Sequence, residues 1–405
     1  MKLVKIGCEG YKPFKAHQEL ALRPLTVLFG KNSSGKTVLL RLTRLLLRCL
    51  SSRAERNFPL KVDELSFGAS FRDLLHQGFP HGKISLSIAL KYNQCFFEAE
   101  ADIQNIFDIS GKDKQIISHL KLPFPDIELE LDGTGRNPIR YKGVSEEVTF
   151  NGLLPEPSPL LPFSVEQLEV LRKNVKKFED SISHLGAQRS VISSVYEKGT
   201  SRPIGLDGNG AMSLLAEDSE LLEAVGEWYA ENMEGWRLSL EQAGSAYRCL
   251  LHRGSVTVNL AEAGQGMQQV LPVVVQQLIH RCREQASFLD LVEEPELHLH
   301  PAAHAPLADL FLESTRGDVG QAVVETHSEN FLLRIRRRVA EGAALPESVA
   351  IYWVEDLEDG SSRIRPIRIM PDGSVDYWPP GVFSEGYQEV RAMSKAARSR
   401  KEGEV

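Results

Sequence analysis

The chain of 405 residues is 42% hydrophobic and 25% charged, with a net charge of −8, which suits a soluble globular protein of two to three domains or one large domain with an insertion. The acidic balance excludes a protein that coats nucleic acid over its whole surface, while leaving room for a local basic patch. Five cysteines without a CxxC pair exclude a zinc ribbon or disulfide framework, and with no signal-peptide pattern in Met1–Tyr11 the expected location is the cytoplasm.

In chain order, Leu3–Gly7 and Glu19–Leu22 read as a strand pair leading to a strand at Leu25–Phe29, then a glycine-rich loop and a helix from near Lys36. The apolar stretch Val38–Leu50 is far shorter than the ~20 residues of a membrane span. It reads instead as a helix packed by its leucines, with Arg41, Arg44 and Arg48 solvated, so no membrane contact is expected. Residues 1–56 form a first lobe on this reading. Residues 57–180 form a mixed β/α insertion: Ile84–Ile88 and Ile127–Leu131 alternate as strands do, turns fall at Asp132-Gly133 and Asn137-Pro138, Leu154–Pro162 reads as a loop and Val165–Asp180 as a helix.

Residues 181–345 return to α/β, with helices at Leu214–Asn232 and Gly266–Glu284 and strands at Ser255–Leu260, Phe288–Val292 and Ala322–Glu325. Residues 346–405 add a strand at Val349–Val354 and a basic tail. Strands separated by helices imply a largely parallel sheet covered on both faces.

Three segments carry chemistry. Gly30-Lys31-Asn32-Ser33-Ser34-Gly35-Lys36-Thr37 is a GxxxxGK[ST] phosphate loop between strand and helix, a context that raises its specificity well above a lone match. Such a loop turns backbone N–H groups around phosphates; Lys36 would neutralise the β and γ phosphates and Thr37 would give its hydroxyl to Mg²⁺. The expected ligand is a nucleoside triphosphate with magnesium. Phe288–Pro295 is an apolar strand ending in adjacent carboxylates, for which the reading is Glu293 on Mg²⁺ and Glu294 polarising the attacking water. Asp290, interrupting the apolar run, is the alternative metal acid. At the end of the next strand, within Glu325-Thr326-His327-Ser328, His327 is placed to sense the γ-phosphate.

Two other patterns carry less weight. His298, His300 and His304 have a spacing that could hold a metal. The runs Arg334–Arg338 and Arg391–Lys401, the latter with Lys395, Arg398 and Arg400, are candidate DNA patches, although charged helix faces are usually just solvated.

GKNSSGKT, LVEEPELHLHP and ETHSE, in that order, resemble the ABC-type ATPases of the SMC and overcoming-lysogenization-defect (OLD) group, and most of all compact bacterial AAA-type members with a short C-terminal domain of unknown function. The likeness covers residues 1–50 and 181–385, including Phe14, Lys15 and the segment Tyr377–Phe383. It implies a P-loop NTPase fold, an ABC-type ATPase head, that binds ATP and Mg²⁺ and dimerises around two ATP molecules. Each ATP would lie between one subunit's phosphate loop and the partner's signature loop.

By that resemblance the signature segment is Gly264–Gln269. Gly264, Gly266 and Gln268 would face the partner's ATP, with Gln268 standing where the family has serine. Glu296–Pro301 would cross the dimer interface, His327 would be the switch histidine, Gln77 a Q-loop equivalent and Arg189 part of a family segment of unassigned role. Some relatives continue into a Toprim nuclease; Val354-Glu355-Asp356 has no later paired-aspartate strand, so a nuclease or other effector is expected on a separate chain. The implied function is an ATP-hydrolysing switch acting on DNA or an effector in genome maintenance or defence against phage. The alternative is a non-hydrolysing ATP-bound scaffold; a small-molecule kinase is disfavoured by the paired glutamates and the signature-like loop.

Overall fold

The computed structural model describes the chain apart from residues 52–57, 80–81, 93–94, 108–112, 122–127, 132–137, 142–143, 148–149, 157–164, 198–202, 245, 284–286, 319, 384–388 and 395–405. Six strands form the sheet that organises the molecule, in the order Ile182–Leu185, Leu289–Glu293, Gln321–Thr326, Leu25–Gly30, Val349–Asp356 and Ser362–Ile367. The first five run parallel and the sixth pairs antiparallel.

Leu25–Gly30 is buried at every position, as a strand covered on both faces must be. Its side chains alternate: Leu28 enters one core, and Leu25, Val27 and Phe29 enter the other. The first core lies around the helix Lys36–Leu50, whose Leu39, Leu42, Leu45 and Leu46 pack toward the second sheet; each contributes about 1.5–3 kcal/mol by leaving water. The second core gathers the helices Ala211–Glu217, Ser219–Asn232, Leu271–Cys282, Pro301–Ser314 and Glu329–Ala340.

A second sheet of eight antiparallel strands starts with Gln18–Ala21 and Lys2–Glu9. It continues outward through Lys83–Tyr92, Cys95–Phe107, Asp113–Lys121, Glu128–Leu131, Pro138–Tyr141 and Val144–Glu147. Strands from residues 57–180 therefore extend a sheet begun by the first lobe. A smaller antiparallel sheet, Tyr196–Glu197, Arg237–Ala243, Ala246–Arg253 and Val256–Asn259, precedes the helices Gln265–Gln269 and Leu271–Cys282.

Several expected elements have different boundaries. The helix read over Leu214–Asn232 is two helices divided at Asp218, whose carboxylate accepts from the N–H of Leu221 and caps the second, as a short acidic side chain does at a helix start. The helix read over Gly266–Glu284 likewise divides at Val270, with proline in the first turn of its second part. In the stretch read as a loop, Leu154–Pro155 forms a short ladder with Phe150–Asn151, and 157–162 lies outside the described residues. The Asp132-Gly133 turn also lies outside them.

Arg41, Arg44 and Arg48 are paired rather than merely solvated. Arg41 binds Glu293, while Arg44 and Arg48 meet Asp63 and the buried Glu179, because residues 57–180 cover that face of the helix. The Arg334–Arg338 run is engaged too: Arg334 and Arg338 bind Asp309, Arg337 binds Glu341, and Arg336 donates to the Gly373 carbonyl beside Trp378. Lys395, Arg398 and Arg400 lie outside the described residues. Among the described residues, no helix is long and apolar enough to cross a membrane.

Candidate active site

The parallel strands bring their carboxyl ends together, where ligands of open α/β sheets bind. Gly30 ends one strand, Glu293 and Glu325 are register partners on the next two, and Thr326 pairs with Phe29. Beneath the loop, Phe29 stacks against Trp378 and Phe383, so the segment Tyr377–Phe383 supports the strand from which the phosphate loop springs.

The loop is shaped to approach an anion closely. A Cβ on Gly30 would collide with the Val354 carbonyl oxygen. Gly35 has φ +103°, and a Cβ there would lie 2.8 Å from Pro13 Cγ; only glycine takes that conformation without strain. Lys31, Asn32 and Ser33 are exposed while Ser34, Gly35 and Lys36 are buried, and the Ser34 hydroxyl has no hydrogen-bond partner. The helix Lys36–Leu50 starts here without a side-chain cap, so its first N–H groups face the loop.

Lys36 donates to the carbonyls of Gly30 (3.1 Å) and Lys31 (2.7 Å) and lies 3.9 Å from Glu325. Burial lowers its pKa, partly offset by the carboxylates of Glu325 and Glu294. The Thr37 hydroxyl lies 2.9 and 2.7 Å from the two Glu325 oxygens. Burial, reinforced by Glu293 and Glu294, pushes Glu325 up to about 7 despite Thr37 and Lys36. A part-buried hydroxyl–carboxylate pair beside an unpartnered serine at a helix start suits a hard divalent cation held with a phosphate.

Glu293, expected to hold the metal, faces another partner set. Its Oε1 accepts from Arg41 Nε (2.9 Å) and His184 Nε2 (3.1 Å), and its Oε2 accepts from Arg41 Nη2 (3.1 Å). The reason is phase: Thr37 and Arg41 are one helical turn apart, and they meet Glu325 and Glu293, which are neighbours across two strands. The acid reaching Thr37 is therefore Glu325, to which the sequence reading gave no role. Asp290, the alternative, is fully buried and accepts from Gln277 and His280.

Burial raises the Glu293 pKa, but the hydrogen bonds and charge of His184 and Arg41 outweigh it and hold the carboxyl at about 2. Its stabilisation is thus present above its ordinary value near 4.5 and is lost as pH falls toward 2. Glu293→Gln is expected to cost about 2 kcal/mol at pH 7, below the value for a fully buried pair because Arg41 is partly exposed. Urea unfolding should show that cost shrinking between pH 5 and pH 3.

Glu294 turns the chain: its φ is +43°, its N–H donates to the Glu325 carbonyl, and its carboxylate lies 3.7 Å from His327 Nε2. Among the described residues, Glu294, Glu325 and His327 are the group whose ligand atoms lie within 4.8 Å of one another. Burial lowers the His327 pKa, with Lys36 adding to the effect and Glu294 opposing it, which favours the neutral ring. Glu296, almost fully buried, accepts from the Thr326 hydroxyl (2.7 Å) and the His327 N–H (2.6 Å), fixing the turn that carries the histidine. Sequence reading missed Glu296, Arg41 and His184 as contributors.

The segment Gly264–Gln269 lies apart from this chain's own phosphate loop in sequence and forms its own short helix from Gln265. Gly264 and Gln265 are exposed, and a Cβ on Gly266 would come within 2.6 Å of the His298 carbonyl, so the loop abuts the turn Glu296–Pro301. Gln268, read as facing a partner's ATP, is buried and donates to the carbonyls of Ala261 and Ala263; it holds its own loop because its long side chain folds back. The three histidines do not converge: His300 caps the helix Pro301–Ser314, His304 contacts Ser328, and His298 is exposed at φ +67°. Gln77 is exposed in a loop tied to Gly10 and Lys12.

Residues 164–332 match the AAA ATPase domain family. Three solved structures are similar: the SMC head domain from Thermotoga maritima (12% identity, 91% of this chain, 100% of that chain, TM-score 0.45); an SmcHead bound to the C-winged helix domain of ScpA (14%, 91%, 98%, 0.52); and an Smc head domain with an extended coiled coil bound to the C-terminal domain of ScpA derived from Pyrococcus furiosus (12%, 90%, 96%, 0.43). No curated protein matches the chain. The fold, with its mixed parallel and antiparallel sheets, is similar to that of an SMC head, and the site carries a P-loop within it.

Proposed function

We propose that the protein hydrolyses ATP and uses it as a switch between an open state and a head-to-head homodimer. The observation that supports this best is the meeting of Lys36, Thr37, Glu325, Glu294 and His327 at the carboxyl ends of the parallel strands. Lys36 and the loop N–H groups bind the β and γ phosphates. Thr37 and Glu325 would hold Mg²⁺, which supplies charge neutralisation on the phosphates. Glu294 takes a proton from the attacking water, and neutral His327 donates to a γ-phosphate oxygen.

The exposed Gly264–Gln265 loop beside exposed His298 and His300 supports closure by a second copy, whose loop N–H groups would complete the phosphate cage. The dimer would then control engagement of DNA or of a separately encoded effector. Genome maintenance or defence against phage is the setting that the family resemblance favours.

Purified parent protein with ATP and Mg²⁺ is expected to release phosphate, and Lys36→Ala to lose nucleotide binding by about 10- to 100-fold, the value of a charge-assisted contact. The scaffold alternative predicts no phosphate release by the parent.

A further inference from the structure

Among the described residues, Arg189 is a buried cation that the hydrolytic roles leave unused. Arg189, on the loop following Ile182–Leu185, is 7% exposed. Its Nη2 donates to the carbonyls of Glu293 (2.9 Å) and Glu294 (2.8 Å), and its Nη1 to the carbonyl of Gln269 (3.2 Å). The Gln269 side-chain amide returns a bond to the Arg189 carbonyl at 3.4 Å. Burying a guanidinium is costly even with the carboxylates of Glu296, Glu294 and Glu293 nearby, and here its hydrogen bonds go to carbonyl oxygens, so a fold that does this gains position from it.

The two segments it joins serve different nucleotides. On the sandwich reading, Glu294 acts at the site of its own phosphate loop, whereas the exposed Gly264 and Gln265 would face the ATP held by the partner. Asp290 supports the same connection from below: on the Glu293 strand, its carboxylate accepts from Gln277 and His280 (2.8 Å each) on the helix Leu271–Cys282, which follows the loop.

We propose that Arg189 is a positioning residue that binds the Gly264–Gln269 loop and the Glu293–Glu294 turn into one rigid unit, so that docking of the loop on the partner's ATP sets the catalytic acid at the protein's own site. The geometry needs a planar fork with several donors; a lysine ammonium at the same place cannot span both segments in that way. The coupling rests on the sandwich reading above and extends it to communication between the two sites.

The test uses the full-length parent, Arg189→Lys, and Gln277→Leu, which loosens the same unit while keeping Arg189. ATP affinity of the isolated chain is read by fluorescent-nucleotide titration at low protein concentration, hydrolysis by phosphate release across ATP concentrations, and folding by thermal melting. The parent is expected to hydrolyse with a Hill coefficient above one. Arg189→Lys should retain ATP affinity within about twofold, lose at least about tenfold in kcat, and fall to a Hill coefficient near one, the loss corresponding to about 1.4 kcal/mol; Gln277→Leu should move the same way less far.

Unchanged kcat and cooperativity in Arg189→Lys would overturn the coupling while leaving the dimer intact. If Arg189→Lys does not fold, unchanged cooperativity in Gln277→Leu overturns it equally. A parent that stays monomeric with ATP overturns the sandwich, and the coupling with it.

Discussion

Glu294→Gln is expected to bind ATP with Mg²⁺ as the parent does and to hydrolyse it about 10²- to 10⁴-fold more slowly, the range carried by a positioned general base. The amide keeps the size and much of the hydrogen bonding of the carboxylate but cannot accept a proton. The backbone around it should not move: the Glu294 N–H is held by the Glu325 carbonyl, its own carbonyl by Arg189, and its φ of +43° by the turn Glu294–Leu297. The side chain is partly exposed and borders His327, so the water it would activate has access. Single-turnover phosphate release separates chemistry from binding. Equal rates in parent and variant would remove Glu294 from the role of base.

Glu325→Gln carries the second large expectation. Its carboxylate touches the Thr37 hydroxyl and lies 3.9 Å from Lys36; the amide can still bond the hydroxyl but no longer supplies charge to a divalent cation. The gain in ATP affinity on adding Mg²⁺ should fall at least about tenfold, a change of about 1.4 kcal/mol, with the thermal midpoint of the nucleotide-free protein not lowered. Glu293→Gln should do the opposite, lowering the midpoint while retaining most of the Mg²⁺ effect, because its carboxylate is engaged by Arg41 and His184. If Glu293→Gln alone abolishes the Mg²⁺ effect, the assignment of the metal to Glu325 is wrong. Isothermal titration with and without Mg²⁺ reads both variants.

What the sequence made legible was local. The loop spacing marks Gly30 and Gly35, although the close approaches that require them come from Val354 and Pro13, and Leu25–Gly30 and Leu289–Glu293 are short apolar runs whose ends mark themselves. The choice between Glu293 and Glu325 was not legible, because it depends on the register of two strands against a helix on which Thr37 and Arg41 differ by one turn. Nor could the fate of Arg44 and Arg48 be read, since their partner Glu179 lies more than 130 residues away at the end of another helix. Gln268 reads as a long donor for a partner, yet its amide caps carbonyls five and seven residues earlier. The HxHxxxH spacing suggested a metal, but backbone turning at His298 and capping by His300 send the rings to separate tasks. Tertiary pairing decided the acids and arginines, and local backbone geometry decided Gln268 and the histidines.

The oligomeric state of Glu294→Gln decides most directly whether ATP closes a dimer. Sedimentation velocity of that variant, without nucleotide and then with ATP and Mg²⁺, should show one species with the mass of a single chain converting to one with the mass of two, and reverting when Lys36→Ala is added. A variant that binds ATP yet sediments as a single chain under all conditions would contradict the ATP-closed dimer.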